Sequence, residues 1–218
     1  MRLADLSERS GVSLATIKYY LREGLLPPGR RVNTTQAEYD ESHLRRLRLV
    51  RALIQVGRIP VATAREVLAH VDDDSLGLTI RLGAALWALP QCPEPPEPAP
   101  AAEDPSDAAA RSLVDDLLDR LGWSTARELG DLSPAHRSLV TTLATLDRLG
   151  YPFDADDLLP YAHSMEQAAA YDLDRMELLP TPQEQAEYAV AGAVLFEPVL
   201  LNLRRLAQAE QSTRRYGL

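Results

Sequence analysis

Cysteine occurs once in the 218-residue chain, at Cys92, so there is no internal disulfide and no cysteine cluster for zinc or an iron–sulfur centre. Beside a proline-rich stretch, Cys92 has three open roles: an inert exposed thiol, a thiol reactive toward electrophiles, or a bridge between two subunits. His43, His70, His136 and His163 lack the spacing of a metal set, so neither a metal nor another cofactor is expected. A glycine-rich phosphate loop and a nucleophile elbow are missing as well, and the chain does not read as an enzyme. No stretch approaches the ~20 apolar residues of a membrane span, and the first residues carry no apolar signal core. The expectation is a cytoplasmic protein with no membrane partner. Lysine is nearly absent too: Lys18 stands beside 22 arginines, which points to codon bias and carries no functional weight.

Charge is plentiful but unevenly spread. Residues 1–70 hold 12 Lys/Arg against 7 Asp/Glu, a net of +5, which leaves −14 for the rest of a chain at −9. Overall acidity alone argues against nucleic acid. A basic head on an acidic body reverses that, because one part can meet phosphates while the remainder is kept off them.

The local pattern of the basic end agrees. A short helix with Ala4 and Leu6 on its apolar face is broken by Ser10-Gly11-Val12, where Gly11 supplies the positive φ of a tight inter-helix turn. Ser13 is placed to cap a second helix, in which Leu14, Ile17 and Leu21 fall at i, i+3 and i+7 and form a core face. The opposite face carries Ala15, Thr16, Tyr19 and Arg22, with Lys18 and Tyr20 on the flanks. A helix of this size fits the major groove of DNA. Gly24-Leu25-Leu26-Pro27-Pro28 then turns the chain. Arg30 and Arg31 open a polar stretch, Val32 to Glu38, long enough for a β wing and closed by Tyr39.

Here the sequence resembles the MerR family of transcription regulators. The matching residues are Leu3-Ala4, Ser10-Gly11-Val12-Ser13, Thr16-Ile17-Lys18-Tyr19-Tyr20, Gly24-Leu25-Leu26, Pro28, Arg30, Tyr39, Leu44-Arg45-Arg46-Leu47 and Val56-Gly57, over roughly the first third of the chain. The resemblance implies a winged helix-turn-helix that binds promoter DNA as a homodimer, distorts it, and so reaches RNA polymerase indirectly. DNA contacts are then expected at Ser13, Thr16, Lys18, Tyr19, Arg22, Arg30, Arg31 and Tyr39. Two positions depart from the family. Lys18 stands where arginine is usual, which keeps the charge but loses the bidentate fork. Gln36-Ala37-Glu38 replaces a usual wing arginine, leaving Arg30 and Arg31 for the backbone contact.

A helix over 40–56 follows, with Leu44, Leu47, Val50 and Ile54 toward the core. Its Arg45, Arg46, Arg48 and Arg51 are either a solvated face or partly a DNA-backbone contact. Another helix starts at Pro60. A connecting helix near 76–89 offers Leu78, Leu82, Ala85 and Leu89 as a short dimer seam, and Pro90 stops it after about four turns. Residues 90–105 hold seven prolines and are expected to be an extended linker.

Beyond the linker the pattern is all helical. Ser106, Ser133-Pro134 and Thr181-Pro182-Gln183-Glu184 are helix starts, and breaks or kinks are expected near Pro160 and Pro198. The fold class is therefore mostly α. Expected units are a winged helix-turn-helix with a small β wing (1–71), a dimerisation helix (72–89), a proline-rich linker (90–105) and an all-helical bundle (106–218). That bundle is expected to bind a small organic effector among Trp123, Tyr161, Tyr188, Phe196 and Glu197, the last an acid inside an apolar run. The alternative is a regulator or architectural protein whose C-terminal domain binds a protein partner and no small molecule.

Overall fold

A computed structural model of the protein describes residues 1–33, 36–90, 104–151 and 153–217. Residues 91–103, which hold most of the expected linker together with Cys92, lie outside the described residues. The chain is mostly α, with one two-stranded antiparallel sheet among the described residues. In order come α1 (Leu3–Ser10), α2 (Leu14–Arg22), β1 (Arg30–Arg31), β2 (Ala37–Glu38) and α3 (Glu41–Arg51), which runs into a π-helical turn over Ala52–Val56. Then follow α4 (Val61–Val71), α5 (Leu78–Trp87), α6 (Pro105–Leu121), α7 (Ser124–Leu129), a 3-10 turn (Gly130–Leu132), α8 (Pro134–Arg148), α9 (Ala155–Glu177) and α10 (Pro182–Tyr216).

Two compact units result: residues 1–89 with 175–218, and residues 90–174. The sequence expectation of one C-terminal bundle over 106–218 groups the chain differently, because α10 folds into the head. Its Ala186, Val190 and Val194 join one core with Leu6, Ile17, Leu25, Leu47, Leu53 and Leu68. Gly57 permits the approach. A Cβ there would stand 2.6 Å from Val194 Cγ1 and 2.9 Å from the Leu53 carbonyl oxygen.

The helix starts obey simple capping chemistry. Thr181 accepts from the Glu184 N–H at 3.2 Å, with Pro182 in the first turn, where a missing N–H costs nothing. Ser133 and Pro134 do the same for α8. For α6 the cap is Asp104, which accepts from the Ser106 N–H at 3.0 Å. Pro105, expected in the linker, is thus a helix start. Pro160 does not break α9 and α10 runs on through Pro198. Pro160 lies near the start of α9, where most of the helix's hydrogen bonds are still to come.

α5 sets its expected seam partly against the head and leaves Ile80 and Trp87 exposed. Ala85 is buried, and Leu78, Leu82 and Leu89 pack on the head's own core. In the second unit α6 and α8 form the core, with Ala110, Val114, Leu118, Val140, Leu143 and Ala144 in contact.

Gly57 has an ordinary helical φ of −71°, so alanine there meets no backbone strain. Gly57→Ala is nonetheless expected to destabilise the protein by about 1–3 kcal/mol in urea unfolding, because the new methyl overpacks the α10 contact. Adding Val194→Ala should return part of the loss.

Candidate nucleic-acid interface

α1 and α2 are joined by Gly11, whose φ of +66° gives the tight turn. Ser13 caps α2 by accepting from the Thr16 N–H at 3.1 Å, and the two hydroxyls share a 2.8 Å hydrogen bond. The buried face of α2 is formed by Ile17 and Tyr20. Leu14, expected on that face, is 44% exposed; Tyr20, expected on a flank, is 4% exposed and takes its place. The face turned outward holds Ala15, Lys18 and Arg22, with Tyr19 half-buried beside them. Arg22 lies 5.2 Å over the Tyr19 ring, a cation–π contact that orients both side chains.

Three arginine–carboxylate pairs shape this surface. Glu23, at the end of α2, meets Arg22 at 3.4 Å and Arg65 of α4 at 3.2 Å, while Arg65 Nε also donates to the Glu23 carbonyl at 2.8 Å. Arg65 therefore braces the recognition helix from behind. In the wing, the register sets Arg30 opposite Glu38 and Arg31 opposite Ala37. Arg30 forms an ion pair with Glu38, and Arg31 is exposed.

Tyr39 was expected to face DNA. It is 8% exposed instead, and its ring stands edge-on to His43 with centroids 5.1 Å apart. A Cβ on Gly29 would stand 3.0 Å from the Tyr39 ring, so the wing's base is packed on this tyrosine. Burial pushes its hydroxyl pKa up. The residue anchors the wing.

Of the four arginines of α3, Arg48 fits the solvated-face reading and the other three are held within the protein. Arg46 is 4% exposed and pairs with Asp72. Arg45 reaches Glu184 at 3.2 Å and Glu187 at 3.6 Å on α10. Arg51 donates to the Ser10 carbonyl at 3.2 Å. Arg48 is exposed. A usable signal was present: position 46 lies at i−4 and i−7 from Val50 and Leu53, on the apolar stripe.

The five expected effector residues are not brought together within either unit. Trp123, which donates to Glu166 at 3.2 Å, and Tyr161 belong to residues 90–174. Tyr188, Phe196 and Glu197 belong to the unit that contains the head, the two rings standing edge to face at 6.4 Å. Glu197 is exposed along α10, with its carboxyl pKa raised by partial desolvation among apolar neighbours. Within the second unit, Leu118, Asp119, Gly122, Ser124, Arg127 and Glu128 line an open cleft of about 450 Å³. Among the described residues no group of His, Cys, Asp or Glu is placed to hold a metal ion.

Comparison with known proteins bears on the head above all. Residues 1–71 match the family described as MerR HTH family regulatory protein. The HTH-type transcriptional regulator ZntR homolog of Haemophilus influenzae is 36% identical over 50 residues, or 23% of this chain and 37% of that protein. The HTH-type transcriptional regulator AdhR of Bacillus subtilis is 30% identical over 57 residues, 26% of this chain and 41% of that protein. The chain thus spans well under half the length of these two curated relatives. Likeness over the whole chain is found with the crystal structure of SCO5550 from Streptomyces coelicolor A3(2), a proposed transcriptional regulator. It is 64% identical, covers 100% of this chain and 99% of that one, and has a TM-score of 0.83.

α3, which follows the wing, starts at Asp40, which accepts from the N–H groups of Ser42 and His43. Hydrogen bonds from the Ser42 hydroxyl, then from His43, hold the Asp40 carboxyl well below the usual carboxylate range. A folded pKa below the unfolded one stabilises the fold above about pH 4, and that contribution is lost as pH falls further. Asp40→Ala is therefore expected to cost about 1 kcal/mol at neutral pH. The gap to wild type should narrow below about pH 4 when both are unfolded in urea.

Proposed function

The chain belongs to the MerR family, and from that premise we propose that it binds a pseudo-palindromic promoter site as a homodimer and distorts that site. It does so in response to a small organic molecule held by its C-terminal helices. It is a MerR-type transcriptional regulator; the dimer, the distortion and the effector are the proposal. Promoter DNA, and RNA polymerase acting on it, place this work in the cytoplasm.

One observation carries the DNA part: α2 turns Lys18 and Arg22 outward, with Tyr19 half-buried beside them, next to a wing that exposes Arg31, on a head of net +5. Lys18 and Arg22 are one turn apart and fall on one side of the helix. Phosphates take Arg22, Arg30, Arg31 and Tyr19, while Ser13, Thr16 and Lys18 reach toward base edges. Distorting the duplex costs several kcal/mol and is repaid by these backbone contacts.

For the effector, the second unit's cleft of about 450 Å³ has the volume of a small-molecule site. A second reading, a protein partner at the C-terminal region, is favoured by α9, where Tyr161, Tyr171 and Leu173 are each more than half exposed.

Footprinting on the chain's own upstream DNA at two salt concentrations tests the DNA reading; a protected, two-fold-symmetric site is expected. Arg30→Ala should weaken binding to all sequences and lower the salt slope by about 1. Glu38→Gln, which frees Arg30 from its wing partner, should strengthen binding. Lys18→Ala should relax sequence preference at a cost of about 1–3 kcal/mol. Unchanged affinity in all three variants would overturn the interface as drawn.

A further inference from the structure

The recognition helix begins with two apolar residues that the fold does not use. Leu14 is 44% exposed and Ala15 is exposed beside it. The buried residues of α2 are Ile17 and Tyr20, and neither Leu14 nor Ala15 packs on the head's core. Ala15 stands at the middle of the outward face, with Lys18 and Tyr19 following at i+3 and i+4 and Arg22 at i+7.

We propose that Ala15 is a specificity-determining residue of this interface. Its methyl group packs on the C5-methyl of a thymine in the major groove, and Leu14 shields that contact from water. The inference rests on the DNA-binding reading of α2 and names a base feature that the helix selects.

The first turn of a recognition helix is the part that meets base edges, and Ala15 lies in that turn, just past the Ser13 cap. It is also the smallest side chain on the outward face. The helix can therefore approach the groove floor there until methyl meets methyl. Lys18 and Arg22 stand on the same side and reach farther, to base edges and phosphates.

The polar residues nearby leave room for an apolar reader. Ser13 and Thr16 share a 2.8 Å hydrogen bond, and Ser13 also accepts from the Thr16 N–H at 3.1 Å. Part of their hydrogen-bonding capacity is thus spent within the helix. Tyr19 is half-buried under the Arg22 guanidinium, 5.2 Å from its ring. Thymine alone among the four bases offers an apolar group in the major groove, and alanine is one of the side chains that match it. An adenine or cytosine amino group at the same place would lose water against Ala15 and Leu14 and gain no partner.

The test replaces thymine by deoxyuridine, one position at a time, throughout the site that the full chain protects on its upstream DNA. This exchange deletes the C5-methyl and keeps every hydrogen-bonding group of the base. Wild type is expected to bind about fourfold more weakly for each methyl it contacts, the effect of one buried methyl-sized group. At the other thymines affinity should be unchanged. In Ala15→Gly the thymine-to-uracil affinity ratio at the responding position should fall to about one, because the methyl's partner is gone. Glycine also loosens the first helical turn and lowers binding to both DNAs alike, so the ratio is the readout. Leu14→Ala should reduce the ratio without abolishing it. A ratio kept in Ala15→Gly would assign the methyl to another residue and overturn the inference. A protected site in which no thymine responds would overturn it too, and would leave the DNA-binding reading standing. No protected site at all would overturn that reading, and the inference with it.

Discussion

Arg46 is a guanidinium at the centre of the head, and the placement of α10 depends on it. It pairs with Asp72 and lies 3.9 Å from Glu187 on α10. Gln183 ties the same cluster together, donating to Asp72 at 3.1 Å and Glu187 at 3.2 Å and accepting from Arg81 at 2.7 Å. Arg81 is itself 3% exposed and donates to the Val71 carbonyl. A buried charge is tolerated only when its partners are in place, so α10 is held at one register along the head and not merely attracted to an apolar face. Apolar contact is non-directional; this network is not. Val190, Val194 and Gly57 then make the close contact that the register allows.

The same economy of arginines governs the surface proposed to meet DNA. A basic head is not a set of free cations. Arg30 is held by Glu38 and Arg22 by Glu23, while Arg45, Arg46, Arg51 and Arg65 are committed within the protein's own framework. Exposed pairs of this kind contribute little to stability, so a phosphate can displace the carboxylate at small cost. Glu38 then acts as a placeholder that orients Arg30 before DNA arrives. Tyr39, buried beneath the wing, keeps that arrangement attached to the head.

Much of this was legible in the linear chain. Gly11, Ser13 and the spacing through Tyr20 mark two helices and a turn; Ser133-Pro134 and Thr181-Pro182 mark helix starts. Each rule acts within one helical turn. Errors arose where a residue's role depends on something distant. Leu14 reads as core by spacing but has no neighbour to cover it, while Tyr20, with its polar tip, is buried. Gly57 matches the family pattern, which does not say why a glycine stands there. The left-handed residue is its neighbour Arg58, at φ +52°, and Gly57 is small because a helix more than 130 positions later passes over it.

By itself the sequence determined the local elements, the basic character of the head and its family likeness, because capping, turn and periodicity depend on neighbours a few residues apart. Only the tertiary structure decided that α10 belongs to the head, that Arg45 and Arg46 of α3 meet carboxylates, and that α5 lays Ala85 on the head's core. Those outcomes hinge on which distant charges and apolar faces meet. No spacing along the chain encodes the meeting of Arg45 with Glu184, or of Val194 with Gly57.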